Sequence, residues 1–529
     1  MNRRIAALCS AVLVVVACGD AGLPEASTTL TSTTLMSTTL TSTSTTSVEP
    51  ATAAPWPAAE WPKSTPEEQG MDSAKLVDLI DRVVATSGID SVMVLRNGYV
   101  VLDAVVYPFG WDDPHIVHSV TKSVVATLIG MAIDQGLLAG VDQPVVDVLA
   151  GAAPEIVDER KADMTVADLL TMTTGLDCRD SYLYEWQGMR EMQQSDDWTA
   201  HVLALPMRDE PGTRFEYCNG SSFLLSAILT EVTGMPASEY AQQKLFGPLA
   251  FGGFEWPASP DGTTLGWGEL WLHPVDMAKL GYLYLRDGEW DGTQLVPTEW
   301  IEAATTEHIA AATLSDGYGY QWWISDEGYT MALGFGGQYV LVDPAHQLVV
   351  VFTSGLRGGQ FGVPEDFVTR YVIPAVVSDT PLPANPDSNA RLSAAVEEAA
   401  ASPEPAPVSL SELHSTMQGA RFEFVASELS PAPFGLRFAH DAAFFRLDDG
   451  GEPFELRIGL DGRFAVDDSI PVALRGSWSA EDTFVIEFQI IGGVERGVFR
   501  FQFAGDAADV TYVENVTGIF GQTTADRVD

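Results

Sequence analysis

Positive charge is scarce in this sequence. Its 529 residues include 28 Lys and Arg against 73 Asp and Glu, which gives a formal net charge of −45 at pH 7. Such a chain repels a phosphate backbone and has few cations with which to displace counterions, so the composition argues against nucleic-acid binding. It also argues against adsorption to anionic membrane surfaces. The acidity is typical of a solvated surface that keeps a protein soluble.

Several patterns that carry chemistry in other proteins are also absent from the sequence. No serine has glycine both two residues before and two residues after it, which excludes the α/β-hydrolase nucleophile elbow. There is no His-Glu-x-x-His sequence, and His115 and His118 have no third ligand nearby in the chain, so we expect no metal site. Beyond the N-terminus, no apolar run reaches the roughly 18 residues of a membrane-spanning helix. We predict that the protein uses no cofactor.

The N-terminus is typical of an exported lipoprotein. A short basic start precedes an apolar run from Ile5 to Val16 and the small residue Ala17, which is the layout of a secretory signal. Residues 15–18, Val-Val-Ala-Cys, resemble the bacterial lipobox, whose cysteine is lipidated and becomes the first mature residue. We predict export and a lipid anchor at Cys18 on the outer face of a bacterial cell membrane. The alternative is an ordinary cleaved signal with an incidental cysteine.

A Ser/Thr-rich tract, residues 27–47, follows the predicted anchor and contains an imperfect Ser-Thr-Thr-Leu repeat. A segment of this composition cannot form a core, so we predict a flexible stalk. A later enrichment in Pro, Ala and Glu predicts a linker that encloses one short helix. The predicted segments are a signal peptide (1–17), a stalk (18–62), a first folded unit (63–378), a linker (379–408) and a β-rich accessory unit (409–529).

Only four cysteines are present, and Cys9 and Cys18 fall in the signal and at the predicted anchor. Cys178 and Cys218 remain, in a compartment that permits disulfides. They form either a bridge or a pair of buried free thiols. The sequence leaves both alternatives open.

Hydrophobic patterns in the first unit mix helices with hairpins. Val-rich runs on both sides of Asn97-Gly98 predict a hairpin, and residues 119–136 read as a largely apolar helix that ends at a glycine. Since strands and helices do not alternate as βαβ units, we predict an α+β fold with a mainly antiparallel sheet. Other predicted elements are helices over 74–85 and 221–233 and paired strands over 338–342 and 348–353.

Short strand-like segments separated by turns occupy the accessory unit from residue 421 onward. They predict a small all-β sandwich or barrel. Its sequence shows no constellation of reactive side chains. We expect a structural role or a lid over the substrate.

Ser119 and Lys122 form the strongest chemical pattern in the chain. Residues three apart share a helix face, so this Ser-x-x-Lys pair places a hydroxyl beside an amine that accepts its proton when neutral. Of the six lysines, Lys122 alone has a serine three residues before it. It also lies in the least polar helix of the first unit, where a buried unpaired lysine is costly. Ser119 is the candidate nucleophile and Lys122 its candidate base.

A second group of polar residues, Tyr217-Cys218-Asn219, comes just before another predicted helix. A tyrosine near a lysine can pass a proton between nucleophile and leaving group, and an asparagine amide can hold a substrate carbonyl. Tyr-x-Asn alone is uninformative. What is specific is the order of Ser-x-x-Lys, residues 169–177 (LLTMTTGLD), Tyr-x-Asn and residues 334–338 (GFGGQ).

In this order of motifs, residues 66–377 resemble the serine β-lactamase and penicillin-recognising hydrolase superfamily. The resemblance is strongest to its class C-related branch, which includes carboxylesterases and 6-aminohexanoate-dimer hydrolases. It implies a β-lactamase/transpeptidase-like fold in which helices and a helical subdomain flank the sheet. It also implies an acyl-enzyme mechanism with Ser119 as nucleophile, Lys122 as base and Tyr217 as second acid/base. The oxyanion hole would be the backbone amides of Ser119 and Phe335, and Asn219 would contact substrate.

The chain departs from this superfamily at the third motif, a Lys or His followed by Ser or Thr and Gly. That motif falls on Ala332-Leu333-Gly334, where no cation is present. The resemblance assigns the cation to the substrate carboxylate in β-lactamases and D,D-peptidases, so we expect neither to be the main activity. Gly334 remains a candidate substrate-binding position. Tyr182, in an aromatic loop, is a candidate for lining the acyl pocket or serves ordinary packing.

Together these features predict an extracytoplasmic serine hydrolase, a carboxylesterase or linear amidase, that cleaves a small ester or amide through an acyl-enzyme. One alternative is a D,D-peptidase or β-lactamase. Another is a catalytically silent cell-surface binding protein on the same fold. The presence of Ser119, Lys122 and Tyr217 together favours an enzyme, because a binding module has no evident need for all three.

Overall fold

The computed structural model of the protein describes residues 56–57, 61–151, 158–180, 186–311, 314–424, 434–447, 454–467, 470–518 and 520–528. The predicted signal peptide, the anchor at Cys18 and the Ser/Thr tract lie outside these residues, and so does Tyr182. Within them, no helix combines the length and the apolar character needed to cross a bilayer.

Helices occur in the first unit, in the predicted linker and at the start of the accessory unit. The α-helices are α1 (Ser73–Ala85), α2 (Val120–Asp134), α3 (Val145–Val148), α4 (Val166–Leu170), α5 (Gln187–Gln193), α6 (Trp198–Ala204), α7 (Asn219–Thr233), α8 (Ala237–Ala241), α9 (Pro274–Leu285), α10 (Thr298–Ala304), α11 (Val363–Phe367), α12 (Pro386–Ala400) and α13 (Glu412–Thr416). Short 3₁₀ turns occur at Glu67–Gln69, Glu159–Ala162, Gly358–Gln360 and Ile373–Ala375, and π-helical turns at Gln242–Phe246 and Val368–Val372.

The strands of the first unit are β1 (Ile89–Arg96), β2 (Tyr99–Val105), β3 (His115–Ile116), β4 (Phe254–Glu255), β5 (Trp271–Leu272), β6 (Glu289–Trp290), β7 (Thr293–Gln294), β8 (Ile309–Ala310), β9 (Gly317–Tyr318), β10 (Trp323–Ile324), β11 (Thr330–Gly334), β12 (Gln338–Asp343) and β13 (Leu348–Ser354). Eight of them form an antiparallel sheet in the order β2-β1-β13-β12-β11-β10-β9-β8. The predicted α+β class with a mainly antiparallel sheet is confirmed.

Local sequence explains the turn between β1 and β2. At the β1–β2 turn, Asn97 and Gly98 both have positive φ, 52° and 83°, which is the conformation that an Asn-Gly hairpin turn adopts. The helix predicted over 119–136 is observed as α2. Its side chains from Val120 to Ala132 are buried on every face, because α2 packs between the sheet and α7.

The accessory unit is a single antiparallel sheet of β14 (Arg421–Phe424), β15 (Phe434–Phe438), β16 (Ala443–Leu447), β17 (Phe454–Ile458), β18 (Ala465–Val466), β19 (Val472–Ala480), β20 (Thr483–Ile490), β21 (Arg496–Ala504), β22 (Ala507–Glu514) and β23 (Phe520–Arg527). A bridge between Gly459 and Arg475 connects its two ends, so the sheet is nearly closed into a barrel. Buried phenylalanines fill its interior, among them Phe422, Phe484 and Phe501. Of the two predicted architectures, the structure has the barrel-like one.

The predicted linker contains α12, which packs against α1 of the first unit. Leu392 and Ala399 of α12 are buried in the core of the first unit, and Asn389 Nδ2 donates to Glu67 Oε2 at 2.6 Å. This helix therefore extends the first unit before the chain enters the accessory unit.

Candidate active site

Ser119 and Lys122 lie in the first turn of α2, as their spacing predicted. Ser119 occupies the N-cap position with φ −70° and ψ −5°, and Lys122 Nζ lies 3.0 Å from Ser119 Oγ. His118, just before the nucleophile, has φ 45°, a left-handed conformation uncommon outside glycine and typical of functional turns. The chain thus turns sharply at the residue just before the one that carries the hydroxyl.

The ammonium group of Lys122 is almost fully buried, with 1% of the residue exposed. Besides Ser119 Oγ, its Nζ donates to Asn219 Oδ1 at 2.8 Å and to the carbonyl oxygen of Trp267 at 2.6 Å. Burial lowers the pKa of Lys122 to about 7, and the nearby charge of Asp180 opposes this shift. A large fraction of Lys122 is therefore neutral near pH 7.

This arrangement orients the amine for proton transfer. A neutral amine has two N–H groups and one lone pair, and the Asn219 and Trp267 oxygens can only accept. If they take the two N–H groups, the lone pair is directed at the remaining partner, the Ser119 hydroxyl. The contacts of Lys122 therefore fit a general base for Ser119.

The ring of Tyr217 lies against the same amine. Lys122 Nζ is 4.9 Å from the centroid of its ring, and the ring stacks on Trp323 at a centroid distance of 6.1 Å. Burial raises the pKa of Tyr217, and a hydrogen bond with Ser119 opposes the rise. Its phenol is therefore protonated near neutral pH and can donate a proton toward a leaving group at Ser119.

Asp180 is a site residue that sequence reasoning missed. Its carboxylate accepts hydrogen bonds from the backbone N–H groups of Asn219 at 2.8 Å and Met189 at 2.7 Å, and only 3% of the residue is exposed. Burial raises the pKa of Asp180 to about 6, although these hydrogen bonds and Lys122 lower it. Asp180 thus places a negative charge behind Asn219 and near Lys122. An isolated aspartate two residues after a cysteine gives no sequence signal for this role.

A disulfide joins the two segments that meet at Asp180. Cys178 and Cys218 are bonded, with their Cα atoms 5.6 Å apart. Cys218 lies between Tyr217 and Asn219, and Cys178 lies two residues before Asp180. The bridge therefore ties the Asp180 loop to the segment that carries Tyr217 and Asn219.

The opposite wall of the site is the end of β11. A side chain on Gly334 would place its Cβ 2.2 Å from the carbonyl oxygen of Val117, so only glycine allows β11 to lie this close to the segment entering α2. The ring of the next residue, Phe335, meets the ring of His118 edge to face at a centroid distance of 5.5 Å. The structure therefore brings the predicted oxyanion residue beside the nucleophile turn.

Gln338, the last residue of the 334–338 motif, fixes the turn that carries Phe335, a role that the sequence did not predict. Its side-chain amide donates to the carbonyl oxygens of Phe335 at 3.2 Å and Ser354 at 2.5 Å. It is fully buried. By holding Phe335 to the end of β13, Gln338 limits the movement of the predicted oxyanion amide.

The third motif contributes no charged side chain to this wall. Ala332, at the first position of the third motif, is fully buried in β11 opposite Val340. Burial, with His115 and Lys122 nearby, lowers the pKa of His118 to about 3, so its ring is neutral at physiological pH.

Among the described residues, no group of three or more His, Cys, Asp or Glu side chains could hold a metal ion.

Comparisons with known proteins identify the family of this chain. The β-lactamase family model matches residues 76–370. The 6-aminohexanoate-dimer hydrolase of Paenarthrobacter ureafaciens is 27% identical over 305 residues, which cover 53% of this chain and 76% of that protein.

Two solved structures show the extent of the structural likeness. EstCE1, a hydrolase with promiscuous acyltransferase activity, has a TM-score of 0.48 at 17% identity and covers 56% of this chain and 99% of its own. The octameric penicillin-binding protein homologue from Pyrococcus abyssi has a TM-score of 0.45 at 17% identity and covers 85% of this chain and 98% of its own. Because the family model spans more than half of the sequence, this chain belongs to the β-lactamase family of the serine hydrolase superfamily.

Proposed function

We propose that the protein is an extracytoplasmic hydrolase that cleaves a small ester or linear amide through an acyl-enzyme on Ser119. The observation that carries this proposal is the placement of Lys122 Nζ, 3.0 Å from Ser119 Oγ and held by two further oxygen acceptors. A buried lysine with a pKa near 7 is suited to deprotonate a serine at physiological pH. No metal or cofactor takes part in the proposed reaction.

In the acylation step, Ser119 Oγ attacks the substrate carbonyl carbon and its proton passes to Lys122 Nζ. The backbone amides of Ser119 and Phe335 stabilise the oxyanion that forms. The bond to the leaving group then breaks, and Tyr217 delivers a proton to that group while Lys122 returns one to Tyr217. Asn219 keeps Lys122 oriented through its side-chain oxygen.

In the deacylation step, water attacks the acyl carbon and gives a proton to the lysine–tyrosine pair. The Ser119 Oγ–acyl bond breaks, the acid product leaves, and Ser119 recovers its proton. The site thus returns to its starting state with one water consumed.

The proposed substrate class follows from the uncharged third motif. With Ala332 where β-lactamases and D,D-peptidases carry a cation, β11 offers no positive side chain for a substrate carboxylate. A neutral ester or amide avoids that requirement. The relative from Paenarthrobacter ureafaciens is named a 6-aminohexanoate-dimer hydrolase, which supports including linear amides among the candidates.

We further propose that the enzyme acts at the outer face of a bacterial cell membrane, anchored by lipid on Cys18. The support is the sequence itself, a basic start and an apolar run that ends in Val-Val-Ala-Cys. A Ser/Thr-rich stalk would then separate the hydrolase from the membrane.

Replacing the proposed nucleophile and base tests the chemistry. We expect Ser119→Ala to lower kcat/KM for p-nitrophenyl acetate and butyrate by at least about 10³-fold, and Lys122→Arg by at least about 10²-fold. Arginine keeps the charge but cannot give up its proton. Lys63→Arg is the matched control, because Lys63 lies at the surface beside Asp103 and should retain parental activity.

Parental turnover in Ser119→Ala would contradict the assignment of the nucleophile. If the unaltered protein neither turns over the esters nor is labelled by a fluorophosphonate or penicillin, the result would favour the alternative of a catalytically silent binding protein. Stable labelling of Ser119 by penicillin together with ester inactivity would favour a penicillin-recognising peptidase.

The pH dependence of hydrolysis tests the role of Asp180. As Lys122 loses its proton, kcat/KM should rise with pH through an apparent pKa of about 7. The Asp180 carboxylate favours protonated Lys122, so Asp180→Asn should move this limb to lower pH by a few tenths to about one unit. The measurement is kcat/KM for the same esters across the limb.

Asp177→Asn is the control for this experiment, since Asp177 lies in the same loop but pairs with Arg179 and Arg208 at the surface. Its limb should coincide with that of the parent. A limb that moves to higher pH in Asp180→Asn, or does not move at all, would show that Asp180 does not act on Lys122.

Removing the proposed lipid attachment site tests the location. Expressed in a bacterial host, the unaltered protein should incorporate labelled fatty acid and sediment with membranes. Cys18→Ser should lose both properties, whereas Cys9→Ser, within the predicted signal, should keep them. Membrane sedimentation and labelling that persist in Cys18→Ser would contradict the anchor.

A further inference from the structure

A turn of the accessory unit reaches the catalytic end of the first unit. Between β20 and β21, Gly492 accepts a hydrogen bond at its carbonyl oxygen from the backbone N–H of Ile116 at 2.8 Å. Gly492 has φ 77°, and a Cβ there would lie 2.0 Å from the carbonyl oxygen of Pro114. The two backbones are therefore in direct contact three residues before Ser119.

A buried charge network fastens this turn. Arg496 Nη2 donates to both carboxylate oxygens of Asp90, at 3.1 and 2.9 Å. The same carboxylate is 3.1 Å from Nε2 of His115. The three side chains are 7%, 1% and 3% exposed. Removing one partner from such a buried network leaves an uncompensated charge and is strongly unfavourable, so Arg496 ties the accessory unit to β1 and to the segment that leads into α2.

Val494 in the same turn supports the other half of the site. With Val516 and Ile116 it forms a small buried cluster against which Phe335 packs. A Cβ on Gly336 would lie 2.7 Å from Val494 Cγ1, so Val494 stands directly against the turn after Phe335. A Cβ on Gly355, which follows β13, would lie 2.3 Å from Arg496 Nη2 and 2.4 Å from the carbonyl oxygen of Val494. Both residues therefore also pack directly against the backbone at the end of β13.

We propose that Val494 and Arg496 of the accessory unit are positioning residues of the hydrolytic site. Arg496 acts through Asp90 and His115 on the segment that presents Ser119, and Val494 acts on the turn that carries the Phe335 amide. The one turn therefore sets the distance between the nucleophile and the oxyanion donor. The inference rests on the proposed function, and it gives the accessory unit a part in catalysis in place of the lid or purely structural role expected from the sequence.

The expected effect follows from the tolerance of catalytic geometry. A displacement of about 1 Å in a reacting group can cost about 10²-fold in rate, whereas binding of a small ester depends little on the oxyanion donors. Val494→Ala should lower kcat by about 10-fold with KM within about threefold of the parent. Arg496→Met should lower kcat by about 10- to 100-fold, and Arg496→Lys should recover part of that loss.

The test uses the complete protein and ester turnover normalised by active-site titration with a fluorophosphonate, so that unfolded molecules do not count. Matched controls are Val513→Ala, an exposed valine of the accessory unit, and Arg437→Met, which removes an ion pair with Glu455 within that unit. Both controls should have parental kcat. A boronic acid that mimics the tetrahedral intermediate should lose affinity in Val494→Ala by the same factor as kcat/KM.

The outcomes separate the two claims. If the parent shows no Ser119-dependent turnover, the proposed function and this inference both fail. If the parent is active while Val494→Ala and Arg496→Met keep parental kcat per titrated site and parental boronate affinity, the inference alone is overturned. Should Arg496→Met fail to fold, the kcat and boronate affinity of Val494→Ala decide the matter.

Discussion

The burial of one ammonium group, that of Lys122, organises the catalytic end of this protein. An amine in an apolar helix must be neutral or surrounded by acceptors, and Lys122 has three oxygens within 3.0 Å, from Ser119, Asn219 and Trp267. Those oxygens come from the start of α2, the start of α7 and the loop before β5. The hydrogen bonds of Lys122 Nζ can therefore form only if these three parts of the chain come together. The same arrangement also places Tyr217 beside Ser119.

Two sets of contacts behind the reacting groups hold this convergence. On one side, Asp180 binds the backbone of Asn219 while the Cys178–Cys218 disulfide joins their segments. On the other side, the Arg496 network binds the segment before Ser119. In both cases a buried carboxylate is fixed by groups distant in the chain. The first set holds Asn219, and the second set holds the segment that leads to Ser119.

The sequence predicts the parts of this site that depend on short spacing. Ser119 and Lys122 are one helical turn apart, Tyr217 and Asn219 are two residues apart, and the Asn97-Gly98 turn marks its hairpin directly. It does not predict the Trp267 carbonyl, because a backbone acceptor leaves no side-chain signature. Nor does it predict the pairing of Arg496 with Asp90, which are 406 residues apart. Strands β8–β10 are only two residues long each, too short to show an alternating pattern.

The proposed chemistry depends above all on the protonation state of Lys122, which can be measured directly. In protein labelled with ¹³C at lysine Cε, each of the six lysines gives a signal whose shift reports its charge, and Lys122→Arg identifies the relevant one by its loss. We expect this signal to titrate with a pKa of about 7, well below the ordinary lysine value of about 10.4. A pKa for Lys122 close to that ordinary value would contradict its role as the base for Ser119.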